Sequence, residues 1–343
     1  MIKIYDIEHS AEWDAIVHSF ADYDVYYLSG YVRAFQLHGD GIPYLLYYES
    51  DVLRAIYVYM KRATALLGVY DSITPYGYGG VLFEGVLTEQ TKNEFWKAYL
   101  LCMEEEHIVD NFVRYHPVLS NANSMRSISD VVDLGKTISM DLSSETVIWD
   151  NIASKNRNMI RKAEKNGVEI MHGKGKHLLH EFIGVYNATM KKDNAESYYY
   201  FKEPFYDSID TDLHDNYELF WAEYNGIKIA MSIMIFANNR LNYHLSGSVF
   251  EYRNLAPSNL LLYKAALWGC EQGMHTFHLG GGVGSGEDNL YKFKAAFNKN
   301  SDNQFSIGKQ IFCQEQYDEL VRLRAESDTQ FNSQNGFFPL YRS

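Results

Sequence analysis

Apolar and polar positions change period three times between Arg253 and Phe305. Leu260, Leu261, Leu267 and Trp268 recur at helical spacing against Lys264 and Glu271. Pro257 suits the first turn of that helix, where its missing N–H costs nothing, and Gly273 stands where a C-terminal cap belongs. His275–Leu279 alternates as a short strand and empties into Gly280, Gly281, Gly282, Gly284 and Gly286. Asp288 or Asn289 then caps a second helix whose face carries Leu290, Phe293, Ala296 and Phe297. Lys292 and Lys294 lie on different sides of it, because residues two apart do not share a helical face.

The rest of the chain follows the same grammar. A strand near Ile2–Ile7, a helix from Ala11 and a helix over about Gly30–Leu37 precede the strands Tyr44–Glu49 and Leu53–Met60. Thr88–Glu106 reads as a helix with Phe95, Tyr99 and Met103 inward, and Asn111–Tyr115 as a strand ended by His116-Pro117. Residues 118–143 read as a polar loop followed by strand material. One helix then runs from a Ser143 or Ser144 cap to Asn166, with Gly167 as its stop. A strand Val168–Met171 and helices over His177–Lys191 and Glu203–Leu213 come next. Asn225-Gly226 between two apolar alternating runs predicts a tight hairpin. The order of elements repeats at an offset of about 170 residues, without a residue-level repeat.

The length of 343 residues allows two domains, with a boundary near Asp141–Ser144: 1–142 and 143–343. The net charge of −13 argues against DNA and against broad membrane association. Cys102, Cys270 and Cys313 are far apart in apolar surroundings, so no disulfide framework or metal site is expected. The amino-terminal stretch lacks a signal-like apolar segment, and no run reaches transmembrane length, so a cytoplasmic location is expected. Aromatic residues make up 15%, with 28 tyrosines, a composition that suits both polar ligand clefts and sheets. The loop Tyr70–Gly80, with Tyr76 and Tyr78, reads either as a ligand wall or as a rigid turn.

The glycine loop does not match a nucleotide-binding pattern. A Walker loop needs Lys-Ser/Thr after its glycines, and Glu287-Asp288 stands there, repelling phosphate. The dinucleotide fingerprint is out of register, with too little chain after it. Between Lys155 and Lys176, seven basic residues face two acids, and Arg157, Arg161 and Lys165 share one helical face. Such a cluster grips phosphate or carboxylate, or is a solvated face. Tyr243 and Tyr291 are candidate proton-handling or orienting groups. His244, His275 and His278 form no triad with a serine and an acid.

A strand ending in LGGG, an acidic-polar loop and then L-Y-x-F-K-x-x-F resembles the C-terminal region of the Fem family. Those aminoacyltransferases build peptidoglycan cross-bridges and share a fold with GNAT acyltransferases. Tyr243, Ser246 and Ser248 in LNYHLSGSV, Ala256-Pro257 with its helix, and the basic helix KNRNMIRKAEKNG match the family's order over residues 144–305. The resemblance implies an α/β (α+β) chain of tandem GNAT-like domains, each a mixed sheet flanked by helices. It implies an N-acyl- or aminoacyltransferase acting on an amine of a cell-envelope or sugar-linked acceptor. It implies no tightly held cofactor, with acyl-CoA or aminoacyl-tRNA as co-substrate. Lys294 aligns with the lysine of the family's F-K motif, linked there to transfer. Tyr243 joins it as a catalytic candidate, and Arg157, Arg161, Lys165, Tyr76, Tyr78, Tyr291 and Lys292 as substrate-binding ones. GNAT enzymes that use acyl-CoA usually carry a glycine-bearing R/Q-x-x-G-x-G/A loop, but Tyr252–Pro257 has no glycine, which leaves the donor open. A non-catalytic binding protein on the same fold is the alternative.

Overall fold

The computed structural model describes every residue from Met1 to Ser343. The chain forms two compact units, Met1–Leu134 with Phe305–Ser343, and Gly135–Gln304. In chain order the first stretch holds β1 (Ile2–Asp6), α1 (Ser10–His18), α2 (Ser29–His38), β2 (Ile42–Glu49), β3 (Leu53–Ala63), β4 (Tyr70–Ile73), β5 (Leu82–Gly85), α3 (Glu89–Glu105), β6 (Ile108–Arg114) and α4 (Ala122–Met125). Next come β7 (Val131–Asp141), α5 (Glu145–Asn151), α6 (Ser154–Lys165), β8 (Glu169–Gly173), α7 (Lys176–Lys192), α8 (Glu203–Thr211), β9 (Tyr217–Tyr224), β10 (Ile227–Ala237) and β11 (Arg240–Ser248). The chain closes with α9 (Pro257–Glu271), β12 (Thr276–Gly280), α10 (Asn289–Ala295), β13 (Asn303–Ile311) and α11 (Gln314–Ser327).

In the first unit the strand order is β1-β2-β3-β4-β6-β13, with β5 beside β3. β4 and β6 run parallel and the other neighbours antiparallel. α3 begins on a capping box at Thr88 and Thr91 and lays Phe95, Tyr99 and Met103 on the sheet, as its spacing predicts. The tyrosines are largely core residues here. Tyr27, Tyr31, Tyr57 and Tyr59 are fully buried, so their abundance reflects packing on a sheet more than a wet cleft.

The expected division at 142/143 differs from this arrangement. Residues 305–343, expected in the second domain, belong with the first. β13 pairs with β6 from Ile307↔Arg114 to Ile311↔Asp110. Tyr317, Leu320 and Tyr341 bury against Val109, which fixes the return.

The second unit has the strand order β7-β12-β11-β10-β9-β8. β11 and β12 are parallel and every other pair is antiparallel. The β9–β10 hairpin turns at Asn225 and Gly226, both at positive φ (50° and 76°), as its Asn-Gly sequence predicts. α6 and α9 pack over one face with a core of Ile160, Ala163, Leu260, Leu261, Phe277 and Phe297. The single helix expected over 144–166 is two. Ser144 caps α5 by accepting from Val147 N–H (3.2 Å), but Ile152 and Ala153 are extended. That break lets the Ala153 N–H donate to the Ala296 carbonyl at the end of α10 (2.9 Å). No helix is long and apolar enough to cross a membrane.

Candidate functional site

Two features of the second sheet make an opening. β11 and β12 pair only from Arg240↔Thr276 to Asn242↔His278, although β11 runs on to Ser248 and β12 to Gly280. On its other side β11 carries a bulge at His244, since Met234 faces Tyr243 and the next residue, Ile233, faces Leu245. Paired strands that part company leave backbone and side chains facing a gap. The glycine loop and α10 follow directly from β12 at that gap.

Lys294 is the side chain the loop delivers there. It is 9% exposed, while Lys292, two residues earlier, is exposed to solvent. The Lys294 ammonium donates to the Gly281 carbonyl (2.8 Å) and lies 5.9 Å from the centroid of the Tyr243 ring. Burial pushes its pKa down to about 8, and the Asp288 charge opposes that shift. Asp288 is also the cap of α10: its carboxylate accepts from Tyr291 N–H (2.8 Å) and Val283 N–H (3.2 Å). Gly282 is the point of closest approach, because a Cβ there would strike the Asp288 carboxylate and the Gly286 carbonyl. The loop is thus cinched around its own acidic cap. This is why Glu287-Asp288 stands where a phosphate loop would have Lys-Ser.

Tyr243 forms the floor. Burial raises its phenol above the usual tyrosine range, and hydrogen bonding to Ser246 and Ser232 pulls it back. The Ser232 hydroxyl donates to the Ser246 hydroxyl (2.9 Å), so the three hydroxyls form one polar group on the face that carries Lys294. Burial holds the His244 imidazole neutral, down to about 3. His278 Nε2 pairs with the Thr137 hydroxyl (2.9 Å).

The remaining candidates fall elsewhere. Tyr291 is half-buried at the start of α10, its backbone held by Asp288. Arg157 and Arg161 lie over the Trp149 ring (5.8 and 5.0 Å to its centroid), Arg157 near Asp150 (4.0 Å), and Lys165 is exposed. The three share a face, but two of them are occupied with Trp149. Tyr76 and Tyr78 belong to the first unit. Tyr76 stacks on Phe35 (5.4 Å), and Tyr78 packs against Tyr26, His116 and Phe305. Pattern reasoning passed over Ser232 and the Gly281 carbonyl. Ser232 interrupts the apolar run of β10, which was a usable signal, whereas a carbonyl has no signature in sequence.

The segment ahead of α9, where a CoA loop would lie, is a 3-10 helix, Phe250–Leu255, ending at Ala256 in the left-handed region (φ 57°). Its one cation, Arg253, folds back over the Phe250 ring (3.8 Å) and donates to the Phe250 carbonyl (3.1 Å).

Residues 153–294 match the family described as an acetyltransferase (GNAT) domain. No curated protein matches the sequence. Among solved structures the chain is similar to FemX, at 15% identity and a TM-score of 0.68, covering 92% of this chain and 99% of that one. It is also similar to the C-terminal domain of a putative lysylphosphatidylglycerol synthetase from Agrobacterium fabrum (15%, TM-score 0.57, 89% and 91%). A tandem GNAT protein from the clavulanic acid biosynthesis pathway matches at 8% identity with a TM-score of 0.50, over 91% and 99% of the two chains. The chain has a tandem GNAT fold like that of FemX, with the matched acetyltransferase domain inside the second unit.

Proposed function

We propose that the protein is an acyl- or aminoacyltransferase that forms an amide on an amine of a cell-envelope or sugar-linked acceptor. The observation that carries this reading is Lys294, a buried ammonium held by Gly281 at the mouth of the parted strands and facing Tyr243. In such a transfer the acceptor amine attacks the donor carbonyl, an N–C bond forms, and the C–S or C–O bond to the donor breaks. Negative charge collects on the carbonyl oxygen, where a prepositioned ammonium is most effective. With a pKa of about 8, Lys294 is mostly protonated near pH 7 and can donate there. Tyr243, kept as a neutral phenol by burial, can supply a proton to the departing group while the amine loses one to solvent. The donor is an acyl-CoA or an aminoacyl-tRNA. The closed Phe250–Leu255 segment, with Arg253 turned back, supports a donor that does not rely on a glycine loop for its phosphates.

Lys294→Met keeps the stem and removes the charge. It is expected to lower kcat by on the order of a hundred- to a thousand-fold, with a melting temperature close to wild type. Lys292→Met, on the exposed side, should change little. Rates would be measured with acyl-CoA and aminoacyl-tRNA donors against amine acceptors. Equal small effects would remove Lys294 from the reaction, and a wild type inactive with every donor would favour a binding protein on this fold.

A further inference from the structure

The first unit carries a cleft of about 430 Å³ at one end of its sheet, built by Lys61 and Arg62 at the end of β3, Tyr44, Tyr70, Gly41 and Arg342. Its volume is in the range of small-molecule sites. The geometry points to a binding site here for a phosphorylated small molecule, separate from the transfer site of the second unit.

Charge placement is the first argument. Asp71, fully buried, holds two guanidinium groups at once, Arg62 through Nε on Oδ1 (2.6 Å) and Arg342 through Nε on Oδ2 (2.5 Å). One carboxylate therefore fixes two cations and neutralises only one. Arg342 also donates through Nη2 to the Ala63 carbonyl (2.7 Å). Both guanidiniums are engaged along one edge, and they remain 22% and 30% exposed at the cleft. Arg62, held through Nε, presents its η nitrogens as a fork in fixed geometry, and Arg342 adds Nη1 beside it, an arrangement that suits phosphate oxygens. The rigid anchor matters because ordering a free arginine would cost side-chain entropy on binding.

The walls supply the second argument. Lys61 lies over the Tyr70 ring (4.4 Å) and pairs with Glu106 (2.8 Å), so its ammonium is positioned at the rim while its charge is partly offset. Three cations thus face the carboxylates of Asp71 and Glu106, while Asp110, joined to Asp71 through the Tyr341 hydroxyl, keeps its proton below about pH 7, and the remaining positive charge favours an anion. Tyr44 and Tyr70 give flat apolar surface with a polar tip, suited to the uncharged part of the ligand.

The test uses the full-length protein and isothermal titration with inorganic pyrophosphate, then ADP, with succinate as the carboxylate comparison. Saturable binding of pyrophosphate at one site per chain is expected, tighter than succinate. ADP binding more tightly than pyrophosphate would place the organic part against the tyrosine walls. Arg62→Gln should weaken pyrophosphate by about ten- to a hundred-fold. Lys61→Gln, which leaves the Asp71 cluster intact, should weaken it by a smaller factor and controls for misfolding in the arginine variant. The second-unit variant Lys294→Met should bind pyrophosphate as the wild type does. The assignment is overturned by no saturable binding at millimolar pyrophosphate, by succinate binding equally well, or by binding that survives both Arg62→Gln and Lys61→Gln.

Discussion

At the scale of single residues, buried ionisable groups say most. Asp110 is one. Its Oδ2 lies 2.6 Å from the Tyr341 hydroxyl, which also lies 2.9 Å from Asp71 Oδ2. A phenol has one hydrogen for these two short contacts, so one carboxyl must bring its own. Asp71 is held by Arg62 and Arg342 and is the better anion. The proton therefore belongs to Asp110, which donates to Tyr341 while Tyr341 donates to Asp71. Burial agrees, pushing Asp110 up to about 7. Tyr317 also faces this carboxyl. The folded state then binds more protons than the unfolded chain between the ordinary carboxylate pKa and about 7. Stability accordingly falls as pH rises through that window, by up to about 1.4 kcal/mol per pH unit, and levels off above it. Asp110→Asn mimics the protonated form. It should flatten that slope in denaturant titrations between pH 5 and 8 and give the variant the higher midpoint at pH 8; parallel curves would remove Asp110 as the source. Lys294 has the opposite sign, a cation whose pKa is lowered. The turnover of a working transferase should decline as pH rises through about 8, and no such limb should remain in the residual activity of Lys294→Met.

At the scale of elements, much was legible. The start of α9 at Pro257, the strand Thr276–Gly280, the Asp288 cap of α10 and the Asn225-Gly226 hairpin follow from local chemistry, because each depends on residues within a few positions. The opposite sides of Lys292 and Lys294 follow from helical geometry alone, and the structure buries one and exposes the other. What local pattern could not supply is what long-range bonds decide. Nothing near Ile152 marks a helix break; the break exists because Ala153 and the Asn156 side chain both donate to Ala296, more than a hundred residues away. The bulge at His244 likewise depends on register with β10. Arg157 and Arg161 were readable as a charged face, but not their seat on Trp149. The caps offer a test at this scale. Asp288→Ala removes the acceptor for two N–H groups and should cost about 1 kcal/mol in stability. If the cinched loop also positions Lys294, turnover should fall by more than the stability change explains, and Ser144→Ala at the α5 cap should show the stability cost alone.

At the scale of the molecule, the chain leaves its first unit after Leu134 and comes back to it at Phe305. The second unit is therefore an insertion with a core of its own. Its main cluster, from Ile138 to Phe297, lies wholly inside residues 135–304. A segment with a self-contained core and six neighbouring strands has what independent folding requires. The first unit does not survive division so easily. Without residues 305–343 it would lose β13 from the edge of β6, the Tyr317 and Leu320 packing on Val109, and the Tyr341 and Arg342 contacts that satisfy buried Asp71 and Asp110. A buried Asp110 without Tyr341, an Asp71 left with Arg62 alone, and an exposed strand edge are each destabilising, and together they favour aggregation. Residues 135–304 expressed alone are expected to unfold cooperatively with dispersed amide resonances. Residues 1–134 alone are expected to be insoluble or unfolded, and a short linker joining 134 directly to 305 should restore a folded first unit. A folded 1–134 fragment would mean that the returning segment is an accessory, and an unfolded 135–304 fragment would mean that the insertion depends on its host.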